Sequence, residues 1–169
     1  MKRALLTAGV CGGALLQLAA LSGCGYQWRS PYREDIKTVA VPVFVNRTYE
    51  RGLEVSLSTA VIEDIETHTP YKVVSKEQAD TILEGEIVST KLATLSVNPE
   101  TALPQEQEFE VQVSFTWKNL RTGQIMVQRK NFDEKTSYYP TLGEDPSVGS
   151  QSAVEKLALS IVQELQADW

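Results

Sequence analysis

The sequence predicts an α+β fold. Its form is a two-layer sandwich: a mixed four-stranded sheet carries two helices on one face, after a lipoprotein signal peptide. Three observations predict it. Between Glu106 and Leu120, apolar Phe109, Val111, Val113, Phe115 and Trp117 alternate with Glu108, Glu110, Gln112, Ser114 and Thr116. That is the pattern of an antiparallel strand with one buried and one wet face. Two segments, one after Gly52 and one running to the C-terminus, instead place apolar residues at helical spacing. Two amphipathic helices and a one-faced sheet satisfy each other's need for burial.

The third observation is the leader. Met1-Lys2-Arg3 precedes a short run rich in Leu, Ala and Gly, which ends at Leu21-Ser22-Gly23-Cys24. A charged start, an apolar stretch and small residues at the end make a secretory signal over residues 1–23. Leu at −3, small residues at −2 and −1 and Cys at +1 make it a lipobox. The Cys24 thiol accepts the lipid, and the small residues admit the peptidase. A membrane-spanning anchor needs about 20 predominantly apolar residues, and Gly12, Gly13 and Gln17 interrupt this run. Cleavage before Cys24 removes Lys2, Arg3 and Cys11, which takes the formal charge from −6 to −8 and leaves a single cysteine. The mature chain therefore forms no internal disulfide. More than one acyl chain on Cys24 gives stable anchoring. Gly25, in place of the Asp that retains lipoproteins at the inner membrane in enteric-type sorting, directs the protein to the outer membrane.

Residues 24–35 form a lipidated tether, and 36–169 a single domain. A chain of this size buries roughly 68–70% of its unfolded surface and folds without a metal or disulfide. Tyr26, Trp28 and Tyr32 suit either the membrane interface or packing on the domain edge. Ile36 to Val45 is a strand with apolar residues on both faces. Pro42, lacking a donor, marks an edge or a bulge in it. Gly52 to His68 is a helix with Leu53, Leu57, Ala60, Val61 and Ile65 on its stripe and Glu54, Ser58, Glu63 and Glu66 off it. Pro70 closes it. Tyr71 to Val74 is a short extended piece, and the first strand, helix and next strand imply a right-handed crossover.

Thr81 to Val97 is a long strand, with Gly85 at a bulge or a close approach to a helix. Asn98 to Gln105 is loop. Arg121-Thr122-Gly123 lies in a hairpin connection leading to a last strand, Gln124 to Tyr138, with Ile125 and Val127 on one face. Asp145 and Pro146 have the chemistry of a helix cap and first turn, and Ser152 with Glu155 offers a later capping box. Val154, Leu157, Ala158, Ile161, Val162 and Leu165 complete the second stripe.

Motifs for nucleophilic, phosphate-binding, zinc or dinucleotide chemistry are absent from the sequence. Glu108 and Glu110 share a strand face as an acid/base pair would, but a solvated face accounts for them better. His68 is the sole histidine, and a helix-end role suits it better than metal binding. Nothing implies a cofactor, and the acidic balance disfavours broad nucleic-acid binding.

Cys24-Gly25-Tyr26-x-Trp28-Arg29, then Val39-Ala40-Val41-Pro42-Val43-Phe44-x-Asn46-Arg47-Thr48, then Gly52-Leu53-Glu54, then Ala79-Asp80-x-x-Leu83-x-Gly85-x-Ile87 follow one another over nearly all of the mature chain. Their order and spacing resemble the LptE family of lipopolysaccharide-assembly lipoproteins. The resemblance implies a non-enzymatic α/β sandwich lodged in an outer-membrane β-barrel, LptD. There it acts as plug and assembly factor while lipopolysaccharide passes to the surface. It also implies contact with lipopolysaccharide through basic residues, for which Arg121, Lys91, Arg129 and Lys130 are the candidates. Arg121 stands first because a hairpin tip reaches into a lumen. Screening beyond about 8 Å lets a local basic site act on an acidic chain. The alternative is a periplasm-facing scaffold or activator lipoprotein for a secretion channel or cell-wall synthase. About a dozen residues separate Cys24 from Ile36, a reach of some 40 Å at most, which favours a partner in or at the outer membrane.

Overall fold

The computed structural model describes residues 31–166, and the leader, Cys24, Tyr26 and Trp28 lie outside them. The elements in order are β1 (Thr38–Ala40), β2 (Val45–Asn46), α1 (Leu53–His68), β3 (Lys72–Val73), β4 (Thr81–Val97), β5 (Pro104–Asn119), β6 (Ile125–Tyr138), a 3-10 turn (Pro140–Leu142) and α2 (Pro146–Gln163). The sheet runs β3-β1-β4-β5-β6, with β2 also on β4. β1 and β2 are parallel to β4, and β1 is parallel to β3. β4–β5 and β5–β6 are antiparallel.

The α+β sandwich is as predicted, but with six strands in place of four. Two residues of β3 are too few to carry a periodicity. The other addition comes from Pro42, which cannot donate to a ladder. The strand read as Ile36 to Val45 breaks there into β1 and β2. Between them Phe44 turns inward, its N–H donating to Ser58 Oγ at 2.9 Å. Ser58 is therefore buried, not off the stripe. Its hydroxyl also donates to the Glu54 carbonyl at 2.6 Å, so both of its roles are filled inside the core.

Phe44 explains Gly85 too. A Cβ on Gly85 would sit 2.3 Å from Phe44 Cε1 and 3.1 Å from Phe115 Cβ. The close approach is therefore to a ring from the β1–β2 connection and not to a helix. Leu53, Leu57, Val61 and Ile65 of α1 join Val154, Leu157, Ala158, Ile161 and Val162 of α2 over the inward faces of β4 and β5. Trp117, near the end of β5, is completely buried and packs on Tyr71.

Asp145 Oδ1 accepts the Ser147 N–H at 2.9 Å, so α2 begins at Pro146 as the cap chemistry predicts. Ser152 and Glu155 fall inside it, and the capping box is not used. On β6 a register shift lies between the pairs Trp117–Val127 and Lys118–Ile125. It sends Ile125 to solvent while Val127 packs against the core, which separates two residues expected on one face. Tyr32 packs on the domain edge. Its ring meets Tyr71 edge-on and its hydroxyl donates to the His68 carbonyl at 2.7 Å. The described chain thus starts at the end of the molecule where α1 finishes and β4 begins.

Candidate functional site

The helices cover one face of the sheet and leave the other open. On the open face the alternation of β5 presents Glu108, Glu110, Gln112, Ser114 and Thr116. β4 adds Glu84, Glu86 and Lys91, and β6 adds Gln128 and Lys135. The charges answer one another across strands. Lys91 Nζ lies 3.0 Å from Glu110, and Lys135 Nζ lies 3.0 Å from Glu110 and 3.7 Å from Glu108. Lys118 pairs with Glu84 and Arg47 with Glu86, each at 3.3 Å. Hydrogen bonds from Lys91 and Lys135 hold the Glu110 carboxyl below the usual range. A group so tuned is ionised at neutral pH. The pair read as a possible acid and base is instead one end of an ion-paired ladder.

The four basic candidates are not brought together. Lys91 sits mid-strand in that ladder. Arg121 lies in the β5–β6 turn, which Asn119 Oδ1 shapes by accepting the Arg121 and Thr122 N–H groups at 2.9 and 3.0 Å. Its guanidinium stands 3.4 Å from Asp80. That carboxylate also accepts the Lys37 and Thr38 N–H groups and the Thr38 hydroxyl, and these donors, Lys37 first, keep its pKa low. Arg121 is thus tied to the corner where β1 and β4 begin. Arg129, opposite Phe115, points to the helix side and pairs with Glu164 at 2.6 Å. Lys130 alone of the four is in no ion pair among the described residues. It sits where two β6 residues, Lys130 and Asn131, oppose Ser114. Asn131 has φ +54°, a left-handed conformation Asn tolerates, and its N–H reaches Ser114 Oγ at 3.4 Å.

This bulge borders a shallow groove of about 330 Å³ on the open face, lined by Val45, Glu84, Glu86, Thr116, Gln128 and Lys130 among others. Nothing in the sequence announces the groove. Its walls come from β2 and β6, strands whose lateral order is set by topology. His68, the last residue of α1, pairs with Asp64 at 3.3 Å. Among the described residues there is no cluster of three or more His, Cys, Asp or Glu suited to a metal. No described helix is long and apolar enough to cross a membrane.

A mixed sheet with two helices on one face and a polar, internally paired face opposite defines a small α+β domain that presents a broad polar surface. Solved structures share this fold. PelC L103M from Paraburkholderia phytofirmans, a dodecamer, superposes with a TM-score of 0.57 at 17% identity, over 84% of this chain and 98% of that one. The uncharacterized lipoprotein B from Nitrosomonas europaea gives 0.55 at 14% identity, over 85% and 91%. The hypothetical protein CT253 from Chlamydia trachomatis gives 0.54 at 10%, over 79% and 99%. No curated protein matches the sequence significantly. The particular family is given by sequence: the LptE lipopolysaccharide-assembly family model matches residues 36–168. The chain belongs to the LptE family. It is a lipopolysaccharide-assembly lipoprotein at that level, and the family is a non-enzymatic component of lipopolysaccharide transport.

Proposed function

We propose that this protein is held by a lipidated Cys24 at the periplasmic face of the outer membrane. There it plugs and helps assemble an LptD-like β-barrel through which lipopolysaccharide reaches the surface. The observation that carries the reading is the open sheet face. A barrel lumen is polar, and a plug facing it needs hydrogen-bonding and charged groups that are already balanced among themselves. The Lys91–Glu110–Lys135–Glu108 ladder meets that need. It removes long-range charge from the face yet leaves every side chain able to bond to a wall.

Contact with lipopolysaccharide phosphate falls first to Lys130, which among the described residues has no acid to give up. Lys91, Arg121 and Arg129 must each break an ion pair to do the same. Exposed pairs contribute only about 0–1 kcal/mol, so they remain secondary contacts. The test is purification of the lipidated protein from native membranes. A β-barrel recovered at equal stoichiometry, and lost when Glu108, Glu110 and Lys135 are reversed in charge, supports the reading. A cell-wall synthase recovered instead, or a barrel retained by the charge-reversed protein, overturns it.

A further inference from the structure

β4 and β5 continue past the rest of the sheet. β6 leaves β5 at the pair Gln107–Tyr138, whereas β4 stays paired with β5 out to Val97–Pro104. β4 is 17 residues long, about 55 Å at strand rise, and its outer end is the part of the sheet furthest from Tyr32. This end is unusually apolar for solvent. Leu92, Leu95, Val97 and Leu103 are each at least half exposed, and Leu142 is 77% exposed. Tyr139 joins them, its hydroxyl 3.4 Å from Glu106 on the hairpin. Six of the thirteen large hydrophobic residues exposed among the described residues therefore gather at one end. A two-stranded projection is marginal by itself, and concentrating Leu and Val on it marks an interaction site.

Charge decides what covers it. No Lys or Arg occurs from Leu92 to Trp117 or from Thr136 to Glu155, while Glu100, Glu106, Glu144 and Asp145 lie in those segments. Phosphate-bearing lipid is repelled by such a rim, and so is a second copy of the same end. We infer that the outer end of the β4–β5 hairpin is a protein-docking surface, and that its partner presents an apolar patch rimmed by Lys or Arg. The partner's apolar side chains cover Leu95, Val97 and Leu103, and its cations meet Glu100 and Glu106. This stands whether or not the partner is a barrel.

The experiment uses the full lipidated chain in native membranes. The photo-crosslinking residue p-benzoylphenylalanine replaces Leu103 in one variant, Leu95 in a second, and exposed Lys76, near the opposite end of the sheet, in a control. The expected result is a protein adduct at least tenfold stronger from the hairpin positions than from the control. It falls at least tenfold with Glu100→Lys plus Glu106→Lys, and returns when the Lys or Arg in the cross-linked partner peptide is changed to Glu. Raising NaCl to 0.5 M lowers the unsubstituted hairpin's adduct too, so the charge requirement is read even if the double variant folds poorly. Equal yields from hairpin and control, adducts only to lipid or to another copy, or yields indifferent to both charge reversal and salt overturn the inference. A partner that is not a barrel overturns the plug reading alone.

Discussion

Gly85→Ala isolates the contact that breaks the first strand. The added methyl has no room: its ideal position is 2.3 and 2.7 Å from Phe44 Cε1 and Cδ1, and 3.1 Å from Phe115 Cβ. The Phe44 ring is 2% exposed and its backbone is pinned by Ser58, so it cannot swing into solvent without opening the core. Overpacking of this kind costs about 1–3 kcal/mol. Gly85 has no positive φ, so alanine recovers roughly 0.4–1 kcal/mol by restricting the unfolded chain. The net expectation is a loss of about 1–2 kcal/mol, a midpoint shift near 1 M in urea for a slope of about 1.5 kcal/mol/M. Phe44→Ala alone costs about 3–5 kcal/mol. In that background the clash with Phe44 is gone and only the 3.1 Å approach to Phe115 Cβ remains, so Gly85→Ala costs less than in the parent, and the double-mutant cycle shows a coupling of at least about 1 kcal/mol. Urea unfolding followed by far-UV circular dichroism, on a soluble chain beginning at Gly25, measures all four corners. Equal costs of Gly85→Ala with and without the Phe44 ring refute the reasoning.

Ser58→Ala leaves the buried Phe44 N–H without an acceptor and costs about 1–3 kcal/mol, read from the same unfolding curves. Asp80→Asn weakens the charge-assisted bonds at the β1 corner by roughly 1–2 kcal/mol at pH 7. The folded-state pKa of Asp80 lies below its unfolded value, so its contribution is full above an Asp pKa of about 4 and is lost as pH falls through the folded pKa. The gap in Tm between Asp80→Asn and the parent therefore closes toward pH 3, and a gap that stays constant there removes the linkage. Cys24→Ser abolishes incorporation of labelled palmitate, and persistence of the label assigns lipidation to another residue. Glu110→Lys breaks two pairs of a carboxylate whose side chain is only 14% exposed and sets a third cation between Lys91 and Lys135, so it costs about 1–3 kcal/mol and lowers barrel recovery in a pull-down.

The elements were legible where one face of a regular segment is buried and the other wet. β5 shows this best, because Phe109, Val111, Val113, Phe115 and Trp117 all turn to the helices. β4 was legible by length. Failures cluster where the cause is a contact distant in sequence. Ser58 reads as polar surface until Phe44, fourteen residues earlier, donates to it. Gly85 reads as a bulge or a close approach to a helix until the same ring arrives above it. Ile125 leaves its expected face because the ladder shifts opposite Lys118, and a shift of one residue exchanges the two faces of a strand.

Charge was less legible than shape, and the reason is physical. A Lys or Arg in a sequence carries no sign of which carboxylate will stand beside it. Arg121 looks the most available cation because it sits in a turn, yet the fold closes that turn onto Asp80. Lys130 looks ordinary, yet it sits at a bulge opposite Ser114 and is in no ion pair among the described residues. The same blindness conceals the asymmetry of the whole domain. Pairing on the open face needs β4, β5 and β6 in register, and it leaves that face close to balanced. The hairpin end has no cations with which to balance its acids, so its field extends outward. A protein whose broad face is self-neutralised and whose tip is anionic and apolar has two surfaces with different selectivity. The face accepts any polar wall that fits its shape, whereas the tip rejects every partner without matching cations. Orientation within an assembly is then set by the tip, because only there does a wrong neighbour meet uncompensated charge.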